Sequence, residues 1–134
     1  MRFLTPWSDK LLSVLRIVTA LLFLEHGTQK IFNFPPAATP KPYDLMTLSP
    51  GLAGLLEVVG GSLLVLGLFS RPVAFVLSGQ MAFAYWMAHA KRGQFPVLNG
   101  GDGAVMFCFI FLYIAAAGPG PWSLDSMMGK KSAS

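Results

Sequence analysis

Residues 52–90, LAGLLEVVGGSLLVLGLFSRPVAFVLSGQMAFAYWMAHA, decide the fold. Leu52–Phe69 and Val73–Ala90 are almost entirely apolar, and each approaches the roughly 20 residues that a helix needs to cross a bilayer. Residues 70–72, SRP, form a tight polar break between them, and proline is tolerated in the first turn of a helix. The stretch therefore predicts two membrane-spanning helices that form a hairpin.

The rest of the chain adds two further spans to this hairpin. Residues 11–32 would be roughly 33 Å long as a helix, and the polar residues within them argue against a cleaved signal peptide. Residues 33–50 are rich in proline and predict a loop. The fourth apolar run is shorter and needs the residues before Ala104 as its first turn. We predict an all-α integral membrane four-helix bundle, one domain over residues 1–134, with spans at about 11–32, 52–69, 73–90 and 101–117.

Composition supports this class and excludes others. The chain is 54% hydrophobic and only 12% charged, which is too apolar for the surface of a soluble protein. Its net charge of +4 comes from basic residues scattered around apolar segments, which is typical of membrane flanks and not of a nucleic-acid interface. Cys108 stands alone, and two histidines without further ligands are a weak metal signal. We expect a lipid bilayer as partner, no nucleic acid and no metal.

Four spans place both termini on one side of the membrane. The basic residues on that side are Arg2, Lys10, Arg71, Lys130 and Lys131, and those on the other side are Lys30, Lys41, Lys91 and Arg92. This small excess favours cytoplasmic termini, because basic residues concentrate in cytoplasmic segments.

Polar residues of the spans converge on the half of the membrane opposite the termini. An ionised carboxylate in hydrocarbon is costly, so we expect these residues to face inward and to share a pocket. The candidates for the pocket are Glu25, His26, Lys30, Glu57, Tyr85, Trp86, His89, Asn99 and Asp102.

Structural alternatives remain open for several of these residues. Glu57 could form an ion pair with His26 or Lys30 that locks two spans together, and Glu25 could be wetted at the interface. The histidines are more simply hydrogen-bonded packing residues than haem ligands. In the opposite half, Arg16 is expected to snorkel to the headgroups or to make a structural pair. Gln80, near the middle of its span, is expected to hydrogen-bond across helices.

The motifs in these segments resemble the DoxX family of small bacterial membrane proteins. They are Arg16, HGTQK at 26–30, GLLE at 54–57, GLFSRP at 67–72, His89 and NGG at 99–101. The departures are the proline-rich loop and Asp102, where glutamate is expected more often.

The resemblance implies a four-helix protein of the bacterial cytoplasmic membrane. The family pattern falls on Arg16, Gly27, Lys30, Glu57, Gly61, Gly67, Arg71, His89 and Asn99, and the arginines and glycines among them are the expected structural residues. The resemblance also implies association with membrane oxidoreductase complexes, including a quinone-linked thiosulfate-oxidising one, whereas members of the wider superfamily look like assembly factors or cargo receptors.

Two functions follow from these observations. The first is a small redox subunit that binds a quinone beside a soluble or membrane oxidoreductase partner, with hydrogen-bond donors from the histidines or Lys30 and a proton relay through Glu57. The chain shows no flavin, haem or cluster motif, so whether it is itself an enzyme stays open. The alternative is a non-enzymatic assembly or docking factor, or a transporter of small solutes, and a homo-oligomer is compatible with either.

Overall fold

A computed structural model of the chain describes residues 1–133, with side chains through Gly129. Every regular element in this range is a helix, so the all-α prediction is confirmed. The side chains of Lys130 and Lys131, which count toward the predicted orientation, lie outside the described part.

Six α-helices follow one another along the described chain. After a 3-10 turn at Arg2–Trp7, α1 covers Ser8–Phe32. A π-helical turn at Leu48–Leu52 leads into α2, Ala53–Leu66. Helix α3, Ser70–Ala84, continues through a π-helical turn at Tyr85–His89 and a 3-10 turn at Ala90–Arg92. The remaining helices are α4, Pro96–Asn99, α5, Asp102–Ala117, and α6, Leu124–Ala133.

The four longest apolar helices pack as two close pairs, α1 with α2 and α3 with α5, and α2 also contacts α3. Glycines allow the first pair to approach closely. A Cβ at Gly27 would lie 2.8 Å from both the Cβ of Glu57 and the backbone nitrogen of Val58, and one at Gly61 would lie 3.2 Å from the Cα of Leu24. Small residues at helix contacts are typical of membrane proteins, where close van der Waals packing replaces the hydrophobic effect between helices.

Aromatic rings join the two pairs at the centre. Phe23 of α1 packs edge-on against Phe107 and Phe111 of α5, with ring centroids 5.3 and 4.9 Å apart. Phe23 and Phe111 are buried among Leu64 and Leu77. This cluster separates the two polar ends of the molecule.

The distribution of exposure is the reverse of that in a soluble protein. Arg16 and Glu57 are only 1% and 3% exposed, whereas Phe75 and Phe109 are 65% and 64% exposed. Isolated exposed apolar residues are common on soluble proteins, but a charged core inside an apolar surface suits a lipid solvent. The fold therefore presents its hydrophobic surface outward.

Two helical segments, Arg2–Phe32 and Leu48–Leu66, are long and apolar enough to cross a membrane. Helix α5 is apolar but shorter, and α3 carries several polar residues. The structure thus establishes an all-helical protein with two helices of spanning length, and the four-helix membrane bundle stays a prediction.

Arg16 holds together the end of the molecule where α1 begins and α5 ends. Its Nε donates to the carbonyl of Leu64 at 2.8 Å, one terminal nitrogen donates to the carbonyl of Trp122 at 2.7 Å, and the other donates to the carbonyl of Pro119. Gly67 has φ +70°, which favours glycine, and a Cβ there would lie 2.4 Å from the Cβ of Ser123. Arg16 is therefore a buried structural residue and does not snorkel.

Two further contacts close the same end. Arg71 donates to the carbonyls of Ala115, at 3.2 Å, and Ala116 at the end of α5. The carboxylate of Asp125 accepts from the backbone N–H groups of Phe69 and Ser70, both at 2.8 Å, and so caps the first turn of α3 from a distant part of the chain.

Candidate functional site

A cavity of about 800 Å³ lies at the end opposite Arg16, among α1, α2, α3, the start of α5 and the turn at Leu48–Leu52. Most of its wall is apolar and comes from leucine, methionine, alanine and phenylalanine side chains. The polar side chains in the wall are His26, Lys30, Ser49, Glu57, Gln80 and His89. A largely apolar pocket of this volume with a few polar groups is typical of small-molecule sites.

Lys30 and Glu57 form an ion pair in this wall. The Lys30 Nζ donates to both carboxylate oxygens of Glu57, at 3.0 and 2.8 Å. The Glu57 side chain is 4% exposed and that of Lys30 is 26% exposed. The pair joins the end of α1 to the middle of α2, as one of the structural alternatives predicted, and it also faces the cavity.

Both histidines of the chain line the cavity, and the backbone holds each ring in the same way. The Nδ1–H of His26 donates to the carbonyl of Leu22 at 2.8 Å, and the Nδ1–H of His89 donates to the carbonyl of Asn99 at 3.2 Å. A carbonyl oxygen can only accept, so the proton of each neutral ring lies on Nδ1. Nε2 of each ring has no hydrogen-bond partner in the described chain and is an acceptor when the ring is neutral.

Gln80 is a polar wall residue that the sequence analysis did not place in the pocket. Its Oε1 is buried and has no hydrogen-bond partner within the described residues. A buried acceptor without a partner costs about 1–3 kcal/mol. Its position in the cavity wall means that a ligand or water in the cavity can satisfy it. In the sequence, Gln80 is a lone amide in the middle of an apolar span. A hydrogen bond to a neighbouring helix explained that position as well as a place in the cavity wall would have.

Tyr85 and Asn99 come together but hold the loop before α5 instead of lining the cavity. The Asn99 amide donates to the hydroxyl of Tyr85 and to the carbonyl of Gly93, each at 3.1 Å, and its Oδ1 accepts from Gly101 N–H at 2.8 Å. Tyr85 also stacks on His89, with centroids 6.5 Å apart. Asn99 therefore positions His89 and is itself fully hydrogen-bonded.

Glu25, Trp86 and Asp102 lie outside the cavity, contrary to the expectation that they face a shared pocket. All three are exposed, Trp86 by 69%. The reason is helical phase. Glu25 is one residue, or about 100°, away from His26, and Trp86 lies between the wall residues Ala84 and Met87 but points to another face of the helix.

No group of three or more histidine, cysteine or acidic side chains suited to a metal ion occurs in the described range. The structure groups six of the sequence candidates, together with two polar residues that the sequence did not indicate, Ser49 and Gln80, around an organic-sized space. Four of the candidates, His26, Lys30, Glu57 and His89, contact it directly, and Asn99 supports His89.

Known proteins place the chain among membrane proteins. The sequence model of the DoxX family matches residues 11–90. An uncharacterized protein of Haemophilus influenzae is 42% identical, covering 98% of this chain and 100% of that protein. An uncharacterized membrane protein of Mycobacterium tuberculosis is 29% identical, covering 88% of this chain and 81% of that protein. The inner membrane protein YqjF of Escherichia coli is also 29% identical, covering 88% of this chain and 92% of that protein. No solved structure matches.

Proposed function

Since the chain belongs to the DoxX family of membrane proteins, we propose that it crosses the bacterial cytoplasmic membrane with four helices and binds a quinone-class ligand in its cavity. In this role it is a small subunit of a membrane-associated oxidoreductase system. The electrons come from a soluble or membrane partner.

The contacts between helices support the proposed topology. The start of α1 meets the segment after α5 through Arg16 and Pro119, while the end of α1 meets α2 through Lys30 and Glu57. Four helices that alternate in direction would bring the start of α1 to the end of α5, and the end of α1 to the first half of α2. Helix α3 with its two following turns, Ser70–Arg92, is roughly 35 Å long, which is enough to cross the hydrocarbon core. Helix α5 is roughly 24 Å long, which approaches the thickness of that core.

The cavity is the observation that carries the proposed function. It combines apolar walls, which suit a ligand that partitions into lipid, with an ion pair and two imidazoles at one end of the span. The chemistry of a quinone-class ring is the exchange of protons and electrons at two oxygen atoms. Imidazole and carboxylate side chains are the groups that most often move protons in proteins, and here they lie beside a space of the right size.

The ion pair contributes a fixed orientation to this site. Lys30 holds Glu57 through both carboxylate oxygens, so the carboxylate cannot rotate freely while the pair is intact. A ligand that reaches Lys30 would compete for its ammonium group and release one oxygen of Glu57. Glu57 would then be able to accept a proton from the ligand.

Mass spectrometry of the protein purified in mild detergent tests the proposal. We expect a quinone-class molecule to co-purify in near-stoichiometric amount and to be lost from Gln80→Leu, which removes a polar group from the wall but not from the ion pair. Glu25→Gln, on the outer face, should retain the ligand and serves as the control. Co-purification of lipids alone, together with no binding of added quinone or hydroquinone, would contradict the quinone site and favour the docking or transport alternative.

A further inference from the structure

A second, smaller space lies between α2 and α3, beside the cavity. This groove has a volume of about 250 Å³, and the described residues that line it are all apolar. Its wall on α2 consists of Leu56, Val59, Gly60 and Leu63, which recur at the helical spacing and so share one face of the helix. The groove thus differs in chemistry from the cavity, whose wall contains an ion pair and two imidazoles.

The groove is closed at its floor and open on its outer side. A Cβ at Gly60 would lie 2.9 Å from two side-chain carbons of Leu77, which is buried, so α2 and α3 touch at this point. Val59 and Val76 lie in the wall and are exposed. In a bilayer the open side would face hydrocarbon, where a polar occupant without hydrogen-bond partners is costly. The occupant that suits the groove is therefore a hydrocarbon chain.

The groove adjoins the cavity and extends it along the same two helices. Leu56 of α2 and Val76 of α3 line both spaces. Gln80, about one helical turn from Val76, belongs to the cavity wall only, and its buried Oε1 has no partner among the described residues. Polar contacts for a ligand therefore stop close to the point where the groove begins.

The direction of the groove matches that of an amphiphile in one leaflet of a bilayer. Leu56 and Leu63 are roughly 10 Å apart along α2 at the helical rise, which gives room for a short alkyl or isoprenoid chain. The cavity lies at the end of the proposed spans, and the groove leads from it toward their middle. A ligand with its polar ring in the cavity and its chain in the groove would have its head near the interface and its tail in the hydrocarbon core.

We infer that the groove between α2 and α3 binds the hydrocarbon tail of the ligand whose ring occupies the cavity. This inference rests on the proposed function and deepens it, because it assigns the ligand to one chemical class, rings that carry an alkyl or isoprenoid chain. The cavity holds the ring through polar contacts, and the groove directs the chain along the face of α2 that carries Val59 and Leu63.

Photochemical labelling tests where the tail lies. Position is a sharper readout than affinity, because a chain gains no hydrophobic effect when it moves from lipid into an apolar groove. The probe is a trimethylbenzoquinone with a decyl tail that carries a diazirine at its middle, bound to the purified full chain in lipid nanodiscs. After irradiation, mass spectrometry of proteolytic fragments locates the adducts. We expect them on Val59, Leu63 and Val73, and we expect excess duroquinone, which has the ring without a tail, to abolish them.

Matched substitutions test whether the groove itself holds the tail. Val59 lines the groove, whereas Val18 of α1 lines neither space, and both are 50% exposed. Val59→Trp should lower the yield of adducts on Leu63 and Val73 by at least about fivefold, which corresponds to the lower end of the cost of overpacking. Val18→Trp should leave the adduct pattern unchanged. A circular dichroism melt checks that each variant is folded, and Val73→Phe, which fills the groove from α3, replaces Val59→Trp if that variant does not fold.

A second probe, with the same photoreactive tail on a phosphatidylcholine headgroup, distinguishes a ligand tail from bilayer lipid. Labelling of the groove by both probes, undiminished by duroquinone, would mean that lipid fills it and would overturn the inference. Quinone adducts spread over outer faces, such as those of Val18 and Phe109, would also overturn it, while binding of duroquinone would still support the proposed function. Failure of both quinones to bind would overturn the proposed function itself.

Discussion

The ion pair between Lys30 and Glu57 predicts how a single substitution acts on stability. Glu57→Gln keeps the shape of the side chain but leaves the ammonium group of Lys30, about three-quarters buried, without its counter-charge. We expect the free energy of unfolding to fall by about 1–3 kcal/mol, because a buried pair that loses one partner leaves the other charge uncompensated. Reversible unfolding in mixed detergent measures this change.

The matched controls for Glu57→Gln are a second single substitution and a double one. Glu25→Gln removes an exposed carboxylate and should change stability by less than about 0.5 kcal/mol. Adding Lys30→Met to Glu57→Gln removes both charges, so the double variant should be more stable than Glu57→Gln alone. A double variant that is less stable than the single one would show that Lys30 acts through some other partner.

At the scale of the helix, the contact between α1 and α2 depends on the absence of a side chain at Gly61. A Cβ there already meets the backbone of Leu24 at 3.2 Å, so Gly61→Leu should force the helices apart and lower the melting temperature, at a cost of about 1–3 kcal/mol or more. Gly79→Leu in α3 is the matched control, since a Cβ at Gly79 meets nothing within 4 Å. Equal effects of the two substitutions would mean that the cost lies in the helix itself and not in its packing.

The start of α3 offers a prediction that depends on pH. Burial raises the pKa of Asp125, but the hydrogen bonds from Ser70 and Phe69 and the charge of Arg16 outweigh it and lower the pKa below the usual value of 3.8. A carboxyl group with a lowered pKa in the folded state stabilises the protein above its unfolded pKa, and this contribution is lost as the pH falls through the folded pKa.

The comparison of wild type with Asp125→Asn measures that contribution. The difference in unfolding free energy should be constant from neutral pH down to the usual aspartate range and should shrink only below it. A difference that already disappears between pH 7 and pH 5 would contradict the lowered pKa. Asp9→Asn, at an exposed position of α1, is the control for the removal of a surface carboxylate.

At the scale of the molecule, the predicted topology places both termini in the cytoplasm. The contacts of Arg16 with Pro119 and Trp122 bring the start of α1 to the segment after α5, so reporters fused at Met1 and Ser134 should report the same side. A phosphatase and fluorescent-protein pair of fusions distinguishes the sides. Reporters on opposite sides would mean that α3 or α5 does not cross the membrane, since neither of these helices is established as a span by its length alone. Ser134 itself lies outside the described residues.

The sequence predicted the position of polar residues along the helices better than the face of the helix to which each side chain points. The helical class and the family are confirmed, and His26, Lys30, Glu57 and His89 lie at one end as their spacing along the spans predicted. Rotation was not predictable in the same way. A helix in lipid is apolar on its outer face as well as its inner one, so the 3.6-residue pattern that identifies the buried face in soluble proteins is weak, and Glu25 could not be separated from its neighbour His26.

Contacts between segments that are distant in the chain could not be predicted from the sequence either. Nothing near Asp125 indicates that it caps a helix beginning at Ser70, because capping motifs are recognised only within a short stretch of chain. Gln80 was recognised as polar and central, but whether it finds a partner depends on the shape of the cavity. The binding role of the cavity residues stays a prediction.

The position of Arg16 has a consequence for how the protein is made. Two of its three carbonyl partners, Pro119 and Trp122, are 103 and 106 residues further along the chain, and the third, Leu64, is 48 residues further. A ribosome therefore completes the first helix long before it has synthesised all the carbonyl groups that accept hydrogen bonds from its buried guanidinium. Until then other groups have to solvate that cation, and the segment after α5 completes its set of hydrogen bonds.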